Sequence, residues 1–99
     1  MKIRVIKRGK NDIELEIEGE GHTFCNILRK TLFEDESVEY AGYTIDHPLV
    51  GIPRFYVRTN GSETPEEALI KAASKIIRVS DEFKEEFLKA VKTYQEGKY

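Results

Sequence analysis

Ninety-nine residues, 39% hydrophobic and 34% charged, make one domain of modest apolar content. A net charge of −2 excludes a strongly basic nucleic-acid binder and an anionic-membrane binder, and a single cysteine excludes an internal disulfide framework and suits a reducing compartment. No apolar run reaches the ~18 residues of a membrane span, and the start MKIRVIKRGK lacks a signal-peptide core, so the chain reads as cytoplasmic with a native N-terminus.

Ile3 and Val5 alternate with Lys2 and Arg4 in a first strand. Gly9-Lys10-Asn11-Asp12 turns the chain. Ile13, Leu15 and Ile17 then alternate strictly with Glu14, Glu16 and Glu18, the cleanest strand signal present. The two strands read as an antiparallel hairpin, with basic side chains of one facing acidic side chains of the other. No aromatic is interleaved with the basic residues, so a solvated, glutamate-paired face fits better than a phosphate-binding patch.

His22 to Leu32, HTFCNILRKTL, is an amphipathic helix with surplus apolar surface. Phe24, Ile27, Leu28, Thr31 and Leu32 follow the spacing of one helix face. The stripe from Ile27 round to Cys25 spans roughly 160°, against the ~100° that a one-sided surface helix needs, and Phe33 lies further round. Such a helix buries two sides, one on its own sheet and one on another body. Gly19 and Gly21 break what precedes it, and Thr23 reads as its N-cap with Asn26 at the third helical position.

Glu34-Asp35-Glu36-Ser37 links to a third strand, SVEYAGYTID. Val38 and Tyr40 share one parity, Tyr43 and Ile45 the other, and the switch at Ala41-Gly42 predicts a bulge there. His47 to Pro53, with two prolines and Gly51, forms a shaped loop. Phe55 and Val57 alternate with Arg54, Tyr56 and Arg58 in a fourth strand, and Asn60-Gly61 turns.

Thr64-Pro65-Glu66-Glu67 is a helix start with Thr as N-cap, Pro at the first position and Glu completing a capping box. No Gly or Pro then intervenes before Gly97. Leu69, Ala73, Ile76, Ser80, Phe83, Phe87, Ala90 and Tyr94 keep a 4-3 spacing, a heptad seam. One helix over 64–96 is the expected form. It would be ~46 Å long, overhanging a body of ~13 Å radius of gyration and carrying Phe83, Phe87, Val91 and Tyr94 with it. The alternative is two shorter helices, broken near Ser80-Asp81 and folded back on one core.

His22 and Cys25 sit three apart and His47 is distant, a weak signal for a metal site or a nucleophilic pair. The simpler readings are a helix-face Cys25, a helix-start His22 and a turn residue His47. No phosphate-binding loop and no catalytic carboxylate constellation is present.

GHTFCNILRKTL followed by VEYAGYTIDHPL resembles the small alpha-like assembly subunits of multisubunit DNA-directed RNA polymerases, archaeal subunit L and the eleventh subunit of eukaryotic polymerase II. His22, Thr23, Asn26, Leu28 and Arg29 match the family's helix motif. Ala41, Gly42 and Tyr43 match its strand motif, and His47, Pro48 and Leu49 its loop motif. Phe24 stands where Leu is usual and Cys25 where Gly is frequent.

The resemblance covers nearly the whole chain. It implies an α+β fold, an antiparallel four-stranded sheet with two helices on one side in the order ββαββα, similar to the dimerisation domain of the RNA polymerase alpha chain. It implies a heterodimer with the larger, D-type alpha-like subunit of the archaeal enzyme, on which the catalytic subunits assemble for transcription. The apolar residues expected at that interface are Phe24, Ile27, Leu28, Leu32, Phe33, Ile76, Phe83, Phe87 and Tyr94. The chain then belongs to a nucleotidyltransferase complex, supplies no catalytic residue, binds no cofactor or metal, and meets DNA only through the assembled enzyme. A homodimeric adaptor using the same helix faces, and a small enzyme or metal protein built on His22, Cys25 and His47, are the other classes.

Overall fold

The computed structural model describes residues 1–46, 51–76 and 80–97. Four strands, β1 (Lys2–Arg8), β2 (Asp12–Glu18), β3 (Val38–Thr44) and β4 (Arg54–Thr59), form one sheet in the order β1-β2-β4-β3, every neighbouring pair antiparallel. Three helices, α1 (His22–Leu32), α2 (Pro65–Lys75) and α3 (Ser80–Gln95), lie on one face. α1 packs against β3, α2 spans β4 and β2, and α3 lies on β1. The antiparallel α+β sandwich is therefore the expected one, with element order ββαββαα.

The hairpin follows from its alternation. Ile3, Val5, Ile13, Leu15 and Ile17 point into the core with Phe55 and Val57 of β4. Complete burial of each large aliphatic stabilises by ~1.5–3 kcal/mol. On the opposite face Arg4 donates to Glu16 at 2.7 Å across the β1–β2 pair. Arg4 is half-exposed, so that contact is screened by water and contributes little beyond register.

Two local expectations are corrected. The β3 irregularity falls between Val38 and Tyr40 rather than at Ala41-Gly42. Val38 and Ala41 both point inward, and Tyr40 is thrown to the outer face. There its ring lies over Gly42 and reaches Tyr56, with ring centroids 5.9 Å apart. A Cβ on Gly42 would sit 2.6 Å from the Tyr40 hydroxyl, so close approach, and no bulge, explains the glycine. Secondly, the N-cap of α1 is Gly21, with no side-chain cap, and Thr23 is already helical. The Gly21 carbonyl accepts from the Cys25 amide at 3.2 Å, so the helix opens at His22 with its cap on backbone alone.

The single helix over 64–96 is also corrected. Its start is as expected: Thr64 Oγ1 accepts from the Glu67 amide at 3.1 Å, and Glu67 accepts from the Thr64 amide at 2.8 Å. Gly97 follows α3 with φ +74°, as a left-handed stop requires. Between them α2 ends at Lys75, and Ile76 takes extended dihedrals (φ −96°, ψ 94°). α2 ends at Lys75 and α3 begins at Ser80, so the alternative of two shorter helices, broken near Ser80-Asp81 and folded back on one core, is the one found. The reason is burial: a straight helix would leave the inner side of β1 bare, whereas α3 folded back covers it with Phe83 and Phe87.

Candidate partner interface

The residues of the three sequence motifs that lie within the described segments are joined by specific contacts. His22 Nδ1 and the Tyr43 hydroxyl are 3.0 Å apart, tying the first turn of α1 to β3. The Tyr43 ring stacks on Phe55 at 6.2 Å and 3°, so β3 and β4 fix where α1 begins. Ala41 is buried on the same side. On the outer flank of α1, Arg29 donates to the Asn26 side chain at 2.6 Å. His47, Pro48 and Leu49 lie outside the described residues.

The expected interface set divides by burial. Phe24, Leu28, Leu32, Phe83 and Phe87 are buried in the chain's own core. The Phe83 ring sits 5.7 Å from Phe24 and 5.9 Å from Phe87, an aromatic row joining α3 to α1. Ile76 and Tyr94 are half-buried against the core. Ile27 and Phe33 stay exposed, at 44% and 48%. Ile27 and Ile76 line a cleft of about 190 Å3 with His22 and Phe24.

A second apolar groove is not among the sequence expectations. Ile70, Phe87, Leu88 and Val91 line about 370 Å3 between α2 and α3, and Leu88 is the most exposed of the large apolar residues described, at 59%. Leu88 lies one position off the 4-3 seam, and its adjacency to Phe87 is the only sequence signal for it. The rim carboxylates are already engaged. Arg8 forks onto Glu66 with two 2.7 Å bonds, and Glu67 completes the capping box.

Beneath α2, the α1–β3 and β4–α2 connections meet at Asp35, Glu63 and Lys71. Lys71 Nζ lies 3.2 Å from Asp35 and 3.0 Å from Glu63. Asp35 Oδ2 and Glu63 Oε1 are both buried without a hydrogen-bond partner of their own. The adjoining Glu63 carboxyl holds the Asp35 carboxyl below its ordinary value, helped by the Ser37 amide and Lys71. Burial, then Asp35, pushes the Glu63 carboxyl up. The two carboxyls are thus pushed in opposite directions. The raised Glu63 contributes stability below its unfolded value that is lost as pH rises through its folded value. The lowered Asp35 contributes stability above its unfolded value that is lost as pH falls through its folded value. Thermal melts across the acid range should therefore peak between the two titrations. Glu63→Gln, which removes the titrating carboxyl, should abolish the decline on the alkaline side; an unchanged profile would refute the raised Glu63 titration.

Cys25 is fully buried on the core side of α1, and burial, then the Glu20 charge, pushes its thiol up to about 11. The nucleophile would be the thiolate, so an aromatic disulfide reagent at neutral pH should label the native chain no faster than it unfolds, and the denatured chain at once. Fast labelling of the native chain would contradict this burial. No group of three or more metal-ligating side chains occurs among the described residues.

An antiparallel sheet with every described helix on one side, and apolar side chains left on the outer surface of that helix layer, defines a dimerisation module of the α+β class. Residues 12–86 match the model of the RNA polymerase Rpb3/Rpb11 dimerisation domain. The chain is 50% identical over 95 residues to DNA-directed RNA polymerase subunit Rpo11 of Pyrococcus furiosus, covering 94% of this chain and 100% of that one. It is 54% identical over 78 residues to Rpo11 of Thermococcus kodakarensis, covering 77% and 83%. The crystal structure of DNA-directed RNA polymerase subunit L from Thermoplasma acidophilum superposes with a TM-score of 0.69 at 29% identity, over 96% of this chain and 93% of that one. The chain belongs to the Rpb3/Rpb11 dimerisation-domain family, as a non-catalytic RNA polymerase subunit of the archaeal type.

Proposed function

We propose that the chain is the small member of a heterodimer with the larger alpha-like subunit of the archaeal polymerase, and that this pair is the platform on which the catalytic subunits assemble. The observation that carries the reading is the apolar surplus on the helix layer. Ile27, Phe33 and Leu88 remain exposed in a member of a dimerisation-domain family. Exposed apolar side chains at the edges of packed helices are the raw material of a protein interface.

On this reading the chain works in the cytoplasm, binds no cofactor of its own and meets DNA only through the assembled enzyme. No helix among the described residues is long and apolar enough to cross a membrane. Its contribution to nucleotidyl transfer is architectural: it holds its partner in place while metal and nucleotide chemistry belongs to the large subunits.

Co-expression with the larger alpha-like subunit followed by light scattering tests this. A stable species of 1:1 mass is expected. A monomer or homodimer indifferent to that partner would overturn the proposal.

A further inference from the structure

The sheet has two outer edges, and the sequence treats them differently. β1, at one edge, carries Lys2, Arg4, Lys7 and Arg8, and α3 lies against it. Cations on an edge strand discourage a further strand from pairing there. β3, at the other edge, lacks that protection. From Tyr40 to Thr44 it reads Tyr-Ala-Gly-Tyr-Thr, with no charge and no proline. The irregularity between Val38 and Tyr40 leaves this run as the regular part of the edge. Its ladder partners all belong to β4, and among the described residues no other backbone group hydrogen-bonds to it. A row of backbone donors and acceptors is therefore open along the outer edge of β3.

The side chains on that edge suit one occupant, a second copy of the same strand. Antiparallel pairing about a two-fold axis at Gly42 sets Tyr40 opposite Thr44, Ala41 opposite Tyr43, and Gly42 opposite Gly42. After the bulge, Tyr40, Gly42 and Thr44 share the outer face of the sheet, and Ala41 and Tyr43 share the inner one, so each pair meets on one face. Each aromatic ring faces a smaller side chain, and no pair opposes like charges. Further out, Glu39 falls opposite Ile45 and Val38 opposite Asp46. The same operation on β1 about Val5 sets Lys2 opposite Arg8, and the next register sets Arg4 opposite Lys7. β1 thus rejects its own copy, and β3 accepts it.

α1 adds apolar surface beside the same edge. His22, Asn26, Arg29 and Phe33 fall at i, i+4, i+7 and i+11, one stripe of the helix and its C-cap, and His22 reaches Tyr43 of β3 at 3.0 Å. Ile27 and Thr31, on another side of the helix, line clefts against α2 and its C-cap. The stripe with Phe33 therefore faces the β3 edge, and Phe33 is exposed there.

We propose that β3 pairs with β3 of a second copy, joining two free chains into one eight-stranded antiparallel sheet, four strands from each, with Phe33 of each copy beside the joint. The pairing uses the sheet edge and leaves the outer surface of the helix layer open, so it is independent of the heterodimer proposed above. It closes an uncharged edge that would otherwise template irregular aggregation. A joint of five residues a side is small, so the dimer is weak and forms only at high concentration.

Sedimentation equilibrium of the free chain tests this. Its mass should rise from one chain toward two between ~10 μM and ~1 mM, the affinity range of small transient interfaces. Hydrogen exchange at the upper concentration should slow at the Tyr40–Thr44 amides that point away from β4, and not along β1. Tyr40→Glu with Thr44→Glu sets carboxylate opposite carboxylate twice across the axis, and should weaken the dimer roughly ten-fold or more. Both positions are exposed, so the variant should fold, which circular dichroism melts check. Tyr40→Lys with Thr44→Lys should be equally weak alone. An equimolar mixture of the two variants should recover dimerisation, because each lysine then faces a glutamate. A wild-type chain that stays monomeric throughout, a dimer that survives both variants, or a mixture no tighter than its components would overturn the pairing. Should either variant fail to fold, the wild-type exchange pattern decides: no slowing along Tyr40–Thr44 would overturn it equally.

Discussion

Phe87→Ala should lower the unfolding midpoint of the isolated chain by roughly 15 °C or more. Phe87 is completely buried, stacks against Phe83 at 5.9 Å, and forms the inner wall of the groove between α2 and α3. Truncating a buried aromatic to alanine removes its transfer free energy and leaves a cavity, together ~3–5 kcal/mol. A domain of about 100 residues loses ~4–8 °C for each kcal/mol. Total stabilities of ~5–15 kcal/mol leave little reserve, so Phe83→Ala combined with Phe87→Ala should leave the free chain largely unfolded at room temperature. An overhanging helix predicts the reverse, with the free chain barely disturbed and only association lost. Circular dichroism melts of the isolated single variant separate the two, and a midpoint within ~3 °C of wild type would show that α3 does not close the core.

What is legible in the sequence is what local chemistry decides. Strict alternation from Ile13 to Glu18 specifies β2 and its inward face, because a slip of one residue would turn three glutamates into the core. Thr64, Pro65 and Glu67 specify the start of α2, since the capping box needs only its own residues. Sequence places α1 over His22–Leu32 correctly but misassigns its N-cap, because the anchor is not local. His22 is held by Tyr43, twenty-one positions on, while Gly21 offers no side chain to read. Parity alone puts Tyr40 on the wrong side of β3, because nothing local announces a bulge between Val38 and Tyr40.

The break after Lys75 is settled by tertiary packing. The absence of Gly and Pro and the seam favour continuation, the β-branched Ile76, Ile77 and Val79 and the Ser80-Asp81 pair favour a stop, and two phenylalanines seated on β1 decide between them. The surplus on α1 is legible as an amount of apolar surface. Its division is not, because which flank the sheet takes depends on how β3 and α2 sit beneath the helix. Phe24, Leu28 and Leu32 go to the core, and Ile27 and Phe33 remain outside.

That division makes the second large effect a clean one. Ile27→Glu combined with Phe33→Glu should weaken association with the larger alpha-like subunit by roughly 30-fold or more while leaving the free fold nearly intact. Ile27 and Phe33 are 44% and 48% exposed, so each carboxylate can stay in water in the free chain. Surface substitutions of this kind cost about 0.5 kcal/mol each, a shift of a few degrees in the midpoint. In the complex the same positions lose water. An apolar anchor at the centre of an interface contributes ~2 kcal/mol or more when removed, and 1.4 kcal/mol is a factor of ten. A buried, unpaired carboxylate adds its own desolvation cost. Lys10→Ala, in the β1–β2 turn remote from the helix layer, is the control and should bind as wild type does. Calorimetric titration against the larger alpha-like subunit, with melts of each free variant, reads both quantities. If the double variant binds like wild type, the outer flank of α1 is not part of the interface. If it binds weakly but melts well below wild type, Ile27 and Phe33 support the core rather than the partner.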